Sequence, residues 1–293
     1  MKIASFKFRV FALTLLSFVW SRHCEARSNV KANEKPTHSK FASAIPESRS
    51  KISFNKDWKF FLGDEPNAKN AIFNDASWRK LTLPHDWSIE GKFDEKNPAK
   101  PEGGGLPTGI AWYRKDFIAP ANFKDRITTI EFDGVYKNSE VYINGVFLGK
   151  RPFGYISFAY ELSNYLKPGK NTIAVKVDNS AQPDSRWYSG SGIYRNVWLT
   201  STAKVAVAHW GLRVNPELSS DQKTVAVKIN ANIFNKTNKN QTVTLVNTVI
   251  DENGKLIKKG NVISLKLDTS NKDFSTELSF NNPILWSVDN PKQ

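Results

Sequence analysis

The sequence predicts an all-β protein made of two sandwiches in tandem, and three observations carry that reading. Long apolar periodicity of the helical kind is absent. Apolar residues instead alternate with polar ones in short runs, as in Trp58, Phe60 and Leu62, or Val225, Val227, Ile229, Ala231 and Ile233. Glycine, proline and Asn-Gly pairs separate these runs, which is how antiparallel strands are punctuated. With 293 residues, 40% of them hydrophobic and nine of them Trp, the chain can fill two modest cores.

Residues 1–26 read as a secretory signal. Lys2, Lys7 and Arg9 give a positive start, and the apolar run from Val10 to Trp20 is too short to span a membrane. Cys24-Glu25-Ala26 places small residues at the positions a signal peptidase reads, so cleavage is expected after Ala26. Lipidation of Cys24 is the alternative, but Ser21-Arg22-His23-Cys24 lacks the small residue usual before such a cysteine. Residues 27–50 are polar, carry Pro36 and Pro46, and read as a disordered tether.

The first domain is expected over 51–203. After Trp58–Leu62, the cluster Asn74-Asp75-Ala76-Ser77-Trp78 suggests a turn before Leu81-Thr82-Leu83. Residues 88–109 hold Gly91, Pro98, Pro101, Gly103, Gly104, Gly105 and Pro107, a long irregular loop of the kind that often carries function. Strands follow at Trp112–Phe117 and Ile127–Phe132. Val141 and Ile143 share a face, and Asn144-Gly145 is the strongest hairpin signal in the chain. Ile173, Val175 and Val177 line another strand, and Tyr194–Leu199 closes the domain as a further one. The second domain is expected over 204–293, with strands at Val225–Ile233, Thr242–Ile250 and Phe274–Phe280 and a turn at Asp251–Lys255.

Composition excludes several function classes. The net charge is +14, but lysines such as Lys223, Lys228, Lys236 and Lys239 are spread singly along polar faces. Arg-rich tracts are missing, so no nucleic-acid partner is expected, and the short apolar run gives no membrane span. One cysteine allows no intrachain disulfide, and four scattered His show no zinc spacing. No phosphate loop or dinucleotide fingerprint occurs, so no metal and no cofactor are expected.

One stretch gathers chemistry: Asp184-Ser185-Arg186-Trp187-Tyr188-Ser189-Gly190-Ser191-Gly192-Ile193-Tyr194-Arg195-Asn196-Val197-Trp198-Leu199. It offers an acid, a base and two aromatics on a loop, with Gly190 and Gly192 permitting sharp turns or close backbone approach. Aromatic faces stack on sugar rings and charged groups fix hydroxyls, so a polar ring-shaped ligand fits. A structural corner with Trp187 and Tyr188 as core plugs is the competing reading. Trp58, Trp78, Trp112 and Trp198 lie in or beside strand patterns and are assigned to the core.

This stretch resembles a signature segment of glycoside hydrolase family 2, close to its β-galactosidase members. Four other pieces match in order: Leu83-Pro84-His85-Asp86-Trp87, Thr108-Gly109-Ile110-Ala111-Trp112-Tyr113-Arg114-Lys115, Val141-Tyr142-Ile143-Asn144-Gly145 and Lys167-Pro168-Gly169-Lys170-Asn171. The resemblance covers about residues 52–290. It implies a jelly-roll, galactose-binding-like sandwich followed by an immunoglobulin-like one that lacks its last two strands, and it implies a carbohydrate partner, a terminal β-galactoside above all. In the family the position matching Asp86 contacts sugar, and the loop before Gly190 reaches sugar hydroxyls. Asp86, Asp184, Arg186 and Trp187 are therefore candidate substrate contacts, while His85 either contacts ligand or holds its loop. Both catalytic glutamates of the family lie in a barrel that is not in this sequence, so no catalytic residue is assigned here. Retaining hydrolysis needs two carboxyl groups about 5 Å apart, and the chain alone is expected to be inactive.

Three functions follow. The chain is the N-terminal portion of an exported β-galactosidase-like enzyme, homo-oligomeric when complete; or a free-standing carbohydrate-binding module; or a structural surface protein. The unfinished second domain favours the first, because missing strands leave sheet edges unpaired; the wet apolar faces expected at Val225–Ile233 and Phe274–Phe280 belong to the same expectation. Export to the periplasm or cell surface is tested by N-terminal sequencing: secreted protein should begin at Arg27, and cytoplasmic protein retaining Met1 would overturn the assignment.

Overall fold

Side-chain alternation decides which face of each strand is buried, and here it builds two units. In this computed structural model, which describes residues 7–10 and 49–291, one unit is Arg49–Ala203 and the other comprises the described residues from Lys204 onward together with residues 7–10. The expected cleavage after Ala26, Cys24 and the tether up to residue 48 lie outside the described residues. Strand β1, Lys7–Val10, falls inside the expected leader. Among the described residues no helix is long and apolar enough to cross a membrane.

The unit Arg49–Ala203 is a sandwich of antiparallel sheets. Its strands are β2 (Arg49–Ser53), β3 (Trp58–Leu62), β4 (Arg79–Leu81), β5 (Gly109–Ile118), β6 (Arg126–Phe132), β7 (Ser139–Ile143), β8 (Val146–Arg151), β9 (Phe158–Glu161), β10 (Lys170–Asn179) and β11 (Val197–Ala203). One sheet has the order β4-β3-β5-β10-β7-β8 and the other β2-β11-β6-β9. This is the expected jelly-roll layering. Trp58, Phe60, Tyr113, Val141, Ile173 and Val175 from the first sheet pack with Ile130, Phe132, Phe158, Val197 and Leu199 from the second in one core. Asn144 and Gly145 form the tight β7–β8 turn, with φ of 51° and 88°. The Asn144 amide locks it, donating to Asn171 Oδ1 at 2.9 Å and accepting from Thr172 N at 3.0 Å.

Three expectations change. The strand foreseen at Tyr194–Leu199 begins only at Val197. Upstream, Gly192 instead exchanges two 2.9 Å backbone hydrogen bonds with Tyr136, and the Tyr194 hydroxyl donates to Gly154 O at 2.8 Å. Leu62 is exposed although Trp58 and Phe60 on the same strand are buried. Phe158–Glu161 is a strand that alternation did not reveal, paired with β6 from Thr129 to Phe132.

The opposite face of β5 carries a buried cation. Trp112 and Arg114 point away from the main core and are covered by the segment around Ala68, Phe73 and Trp78. Arg114 is 1% exposed. Its Nε donates to Asp75 Oδ2 at 2.8 Å, and its Nη1 reaches the carbonyls of Ala68 and Asn70. Lys59 closes the other side of Asp75 at 2.5 Å. A single guanidinium thus ties the irregular 66–78 segment to the sheet.

The second unit contains β12 (Val205–Leu218), β13 (Thr224–Asn235), β14 (Gln241–Leu245), β15 (Asn247–Ile250), β16 (Leu256–Lys259), β17 (Ile263–Leu267) and β18 (Lys272–Asn281). They form sheets β12-β13-β18, β14-β17 and β1-β15-β16. The single strand expected over Thr242–Ile250 is two strands, because β14 pairs with β17 whereas β15 pairs with β16 and β1. The face of β13 from Val225 to Ile233 is buried rather than wet. It packs with Val249 and Leu278 at one end and with Leu245 and Leu267 at the other.

Truncating Asp75 would strand a buried Arg114 and unpair Lys59. Asp75→Ala should therefore destabilise the Arg49–Ala203 unit by about 3–5 kcal/mol, read as a lower urea midpoint. Burial opposes ionisation of Asp75, but the hydrogen bonds from Lys59 and Arg114 outweigh it and hold the carboxyl below its usual 3.8. A depressed folded pKa means stability present above that ordinary value and lost as pH falls through the folded one. That acid-range loss should be smaller in the variant.

Candidate functional site

Two loops at one end of the sandwich are drawn together by backbone contact. His85 N donates to Ile193 O at 2.9 Å and Trp87 N to Ser191 O at 3.1 Å. Such approach requires glycine. A Cβ on Gly192 would lie 2.4 Å from the Tyr113 hydroxyl and 2.7 Å from His85 O, with φ at +123°. A Cβ on Gly190 would lie 2.5 Å from Asp86 Oδ2, with φ at +67°.

Asp86 is the clasp between these loops. Its Oδ1 accepts from Ser88 N at 3.0 Å and from Ser191 N at 2.8 Å, while Oδ2 accepts the Tyr188 hydroxyl. Burial first, and then that carboxylate, raises the Tyr188 phenol well above its ordinary value. Beneath it, Ser88 Oγ donates to Ser191 Oγ at 2.7 Å, and the Asn179 amide donates to Ser191 Oγ at 2.8 Å and Gly190 O at 3.0 Å. The 88–109 loop comes alongside Tyr188 at Gly104.

His85 is held from both sides. Nδ1 lies 2.7 Å from the Tyr113 hydroxyl, and Nε2 lies 3.1 Å from Glu90 Oε1 and 2.9 Å from Arg79 Nη2. Arg79 in turn donates to both Glu90 oxygens. Burial against Phe60 and Tyr113 lowers the imidazole pKa, and Glu90 only partly offsets this. Both imidazole nitrogens are thus engaged by protein partners.

The remaining candidates sit further along the same loop. Asp184 accepts from the Tyr136 hydroxyl at 3.1 Å and from Lys137. Partial burial works against its ionisation, but the Lys137 ammonium prevails and keeps its pKa low. Burial first, and then the Asp184 charge, push Tyr136 up to about 12. Trp187 is 62% exposed, with its indole N–H donating to the Tyr155 hydroxyl at 3.2 Å. Arg186 is exposed and has no hydrogen-bond or ion-pair partner among the described residues.

The structure thus groups Asp86 with Tyr188, Asp184 with Tyr136 and Lys137, and Trp187 with Tyr155. Neither Trp187 nor Tyr188 is a core plug. Tyr136, Lys137 and Tyr155 were not singled out from sequence; they lie on other loops, 30 or more positions upstream, with no local motif. Chemically, the surface offers a carboxylate with acceptor capacity left, an unpaired guanidinium and exposed aromatic rings, a set suited to hydroxylated rings. Among the described residues no cluster of three or more His, Cys, Asp or Glu could hold a metal.

Residues 51–203 match the sugar binding domain of glycosyl hydrolases family 2, and residues 205–293 match a second segment described as glycosyl hydrolases family 2. The chain is 44% identical over 251 residues to the beta-galactosidase BoGH2A of Bacteroides ovatus, covering 85% of this chain and 29% of that protein. It is 30% identical over 260 residues to a beta-glucuronidase of Formosa agariphila, covering 81% of this chain and 26% of the relative. A crystal structure of a beta-glycosidase from Bacteroides vulgatus superposes with a TM-score of 0.74 at 40% identity, over 83% of this chain and 30% of that one. The chain therefore spans less than a third of the length of these relatives. With the sugar binding domain matched across more than half of its residues, it belongs to glycosyl hydrolase family 2.

Proposed function

We propose that this chain is the N-terminal, sugar-contacting part of an exported β-galactosidase-like glycoside hydrolase acting on terminal β-linked sugars. The observation that carries the reading is the junction at Asp86. Three donors fill part of its carboxylate and fix its position, while a carboxylate has about four acceptor sites. The remaining capacity can accept a sugar hydroxyl, and the rigid setting gives orientation at little entropic cost. Asp184 and Arg186 supply further polar contacts from the same loop. His85 acts one step back, through its hold on the loop that carries Asp86.

Hydrolysis by double displacement needs a nucleophile and an acid/base carboxyl facing one bond. In this reading both come from outside the chain. What the chain contributes is binding energy and alignment, which raise the rate only when spent on the transition state. Its partner is carbohydrate, and it draws on no cofactor.

The test is a chimera in which this chain replaces the matching N-terminal 29% of the Bacteroides ovatus relative. The chimera should cleave a nitrophenyl β-galactoside, and Asp86→Ala within it should lower kcat/KM by about 10-fold or more. The isolated chain should show no turnover. A folded chimera without activity, or turnover by the isolated chain that Asp86→Asn abolishes, would overturn the reading.

A further inference from the structure

The neighbouring residues Trp187 and Tyr188 serve different partners. Tyr188 is spent on Asp86, whereas Trp187 reaches the 152–157 loop through Tyr155. Tyr155 is 45% exposed and stands edge-on to Tyr136 and to Phe153, which is 56% exposed. Ser185 Oγ donates to Trp187 O at 2.9 Å and fixes the bend beneath the indole. The Trp187 ring is thus held by its N–H edge while much of its surface stays in water. Leaving such apolar area wet is unfavourable, and fixing it in place adds entropic cost. A ring held in that way is suited to stacking.

The charges around it are uneven. Lys137 and Asp184 form an ion pair, and the Asp86 carboxylate is hydrogen-bonded to Tyr188 and backbone N–H groups with acceptor capacity left. Arg186, next to Trp187, has no partner among the described residues. Arg195, also exposed, adjoins Tyr194, whose hydroxyl is bonded to the 152–157 loop at Gly154. The guanidinium next to the aromatic platform is therefore free to pair with an anion.

We propose that Trp187, Tyr155 and Phe153, with Arg186, form a second subsite that takes an acidic sugar ring, the unit adjoining the terminal sugar held at Asp86. This rests on the reading of the chain as the sugar-contacting part of a glycoside hydrolase. It adds the 152–157 loop to the site and names a carboxylate-bearing pyranose as the occupant. The ring face stacks on Trp187, and the carboxylate pairs with the Arg186 guanidinium, whose fork matches it in geometry. Tyr155 is a positioning residue, acting through the indole N–H.

Binding to the full chain can be read at Trp187 alone by fluorine NMR after 5-fluorotryptophan labelling, with Trp187→Phe assigning its signal among the nine tryptophans. The probes are methyl β-D-glucuronide and methyl β-D-glucoside, which differ only in carboxylate against hydroxymethyl. The Trp187 signal should shift saturably with the glucuronide, and the glucoside should bind about 10-fold more weakly. Arg186→Gln should bring the glucuronide down to the glucoside's affinity. Tyr155→Phe should weaken both sugars by a similar factor. All three side chains are exposed, and an unchanged urea midpoint verifies that each variant folds. Equal affinity for the two sugars, indifference to Arg186→Gln, or no response at Trp187 would overturn the proposal. So would self-association that Trp187→Ala abolishes while no sugar shifts the signal, because the platform would then be a protein contact. An active chimera combined with any of these failures leaves the hydrolase reading standing and removes only the acidic subsite.

Discussion

Most of what distinguishes this surface depends on one close approach, the backbone of Gly190–Gly192 lying against Pro84–Trp87. Two hydrogen bonds from the 85–87 backbone and one from Ser191 N to Asp86 hold it. No side chain fits between these segments, since Cβ atoms on Gly190 and Gly192 would fall within 2.5 Å of neighbouring oxygens. Gly192 is also bonded to Tyr136 on its other side. Three separate loops are thereby fixed relative to one another, and each carries part of the polar and aromatic surface. The strand that would otherwise begin at Tyr194 is delayed to Val197 because the preceding backbone is committed here.

The sandwich beneath is organised by strand parity. On β5, Ala111 and Tyr113 face the intersheet core while Trp112 and Arg114 face outward, beneath the 66–78 segment. Tyr113 then does double work: its ring fills the core and its hydroxyl meets His85. Burial pushes that phenol far above its ordinary pKa, so it stays protonated and available for hydrogen bonding. Arg114 is paired inside the fold with Asp75 and two carbonyls. Such an arrangement gives little net stability over an apolar one, but it makes the register of the 66–78 segment costly to change.

The surface at this end of the sandwich is a matter of presentation. Charged and aromatic groups are set on a rigid β scaffold by hydrogen bonds that consume some of their capacity and leave the rest for a ligand. Asp86, Asp184 and Trp187 each have one protein partner or more, and each retains surface. Family membership rests on the sugar binding domain match over residues 51–203, the unit that carries these groups.

Alternation and turn chemistry by themselves determined the all-β class, the Asn144-Gly145 hairpin and the core faces of β7, β10 and β13, because these depend on residues two to four positions apart. Ordered motifs determined the family and drew attention to Asp86 and the 184–187 loop. Only the tertiary structure decided what those residues touch. Tyr155, Tyr136 and Lys137 have no local signature, and they matter because separate loops converge at the end of the sandwich. The division of 242–250 into two strands was equally illegible, since it reflects a change of sheet partner at Val246 rather than any break in pattern. Periodicity is a property of neighbours along the chain, whereas pairing partners and site geometry are set by contacts across loops 30 to more than 100 residues apart.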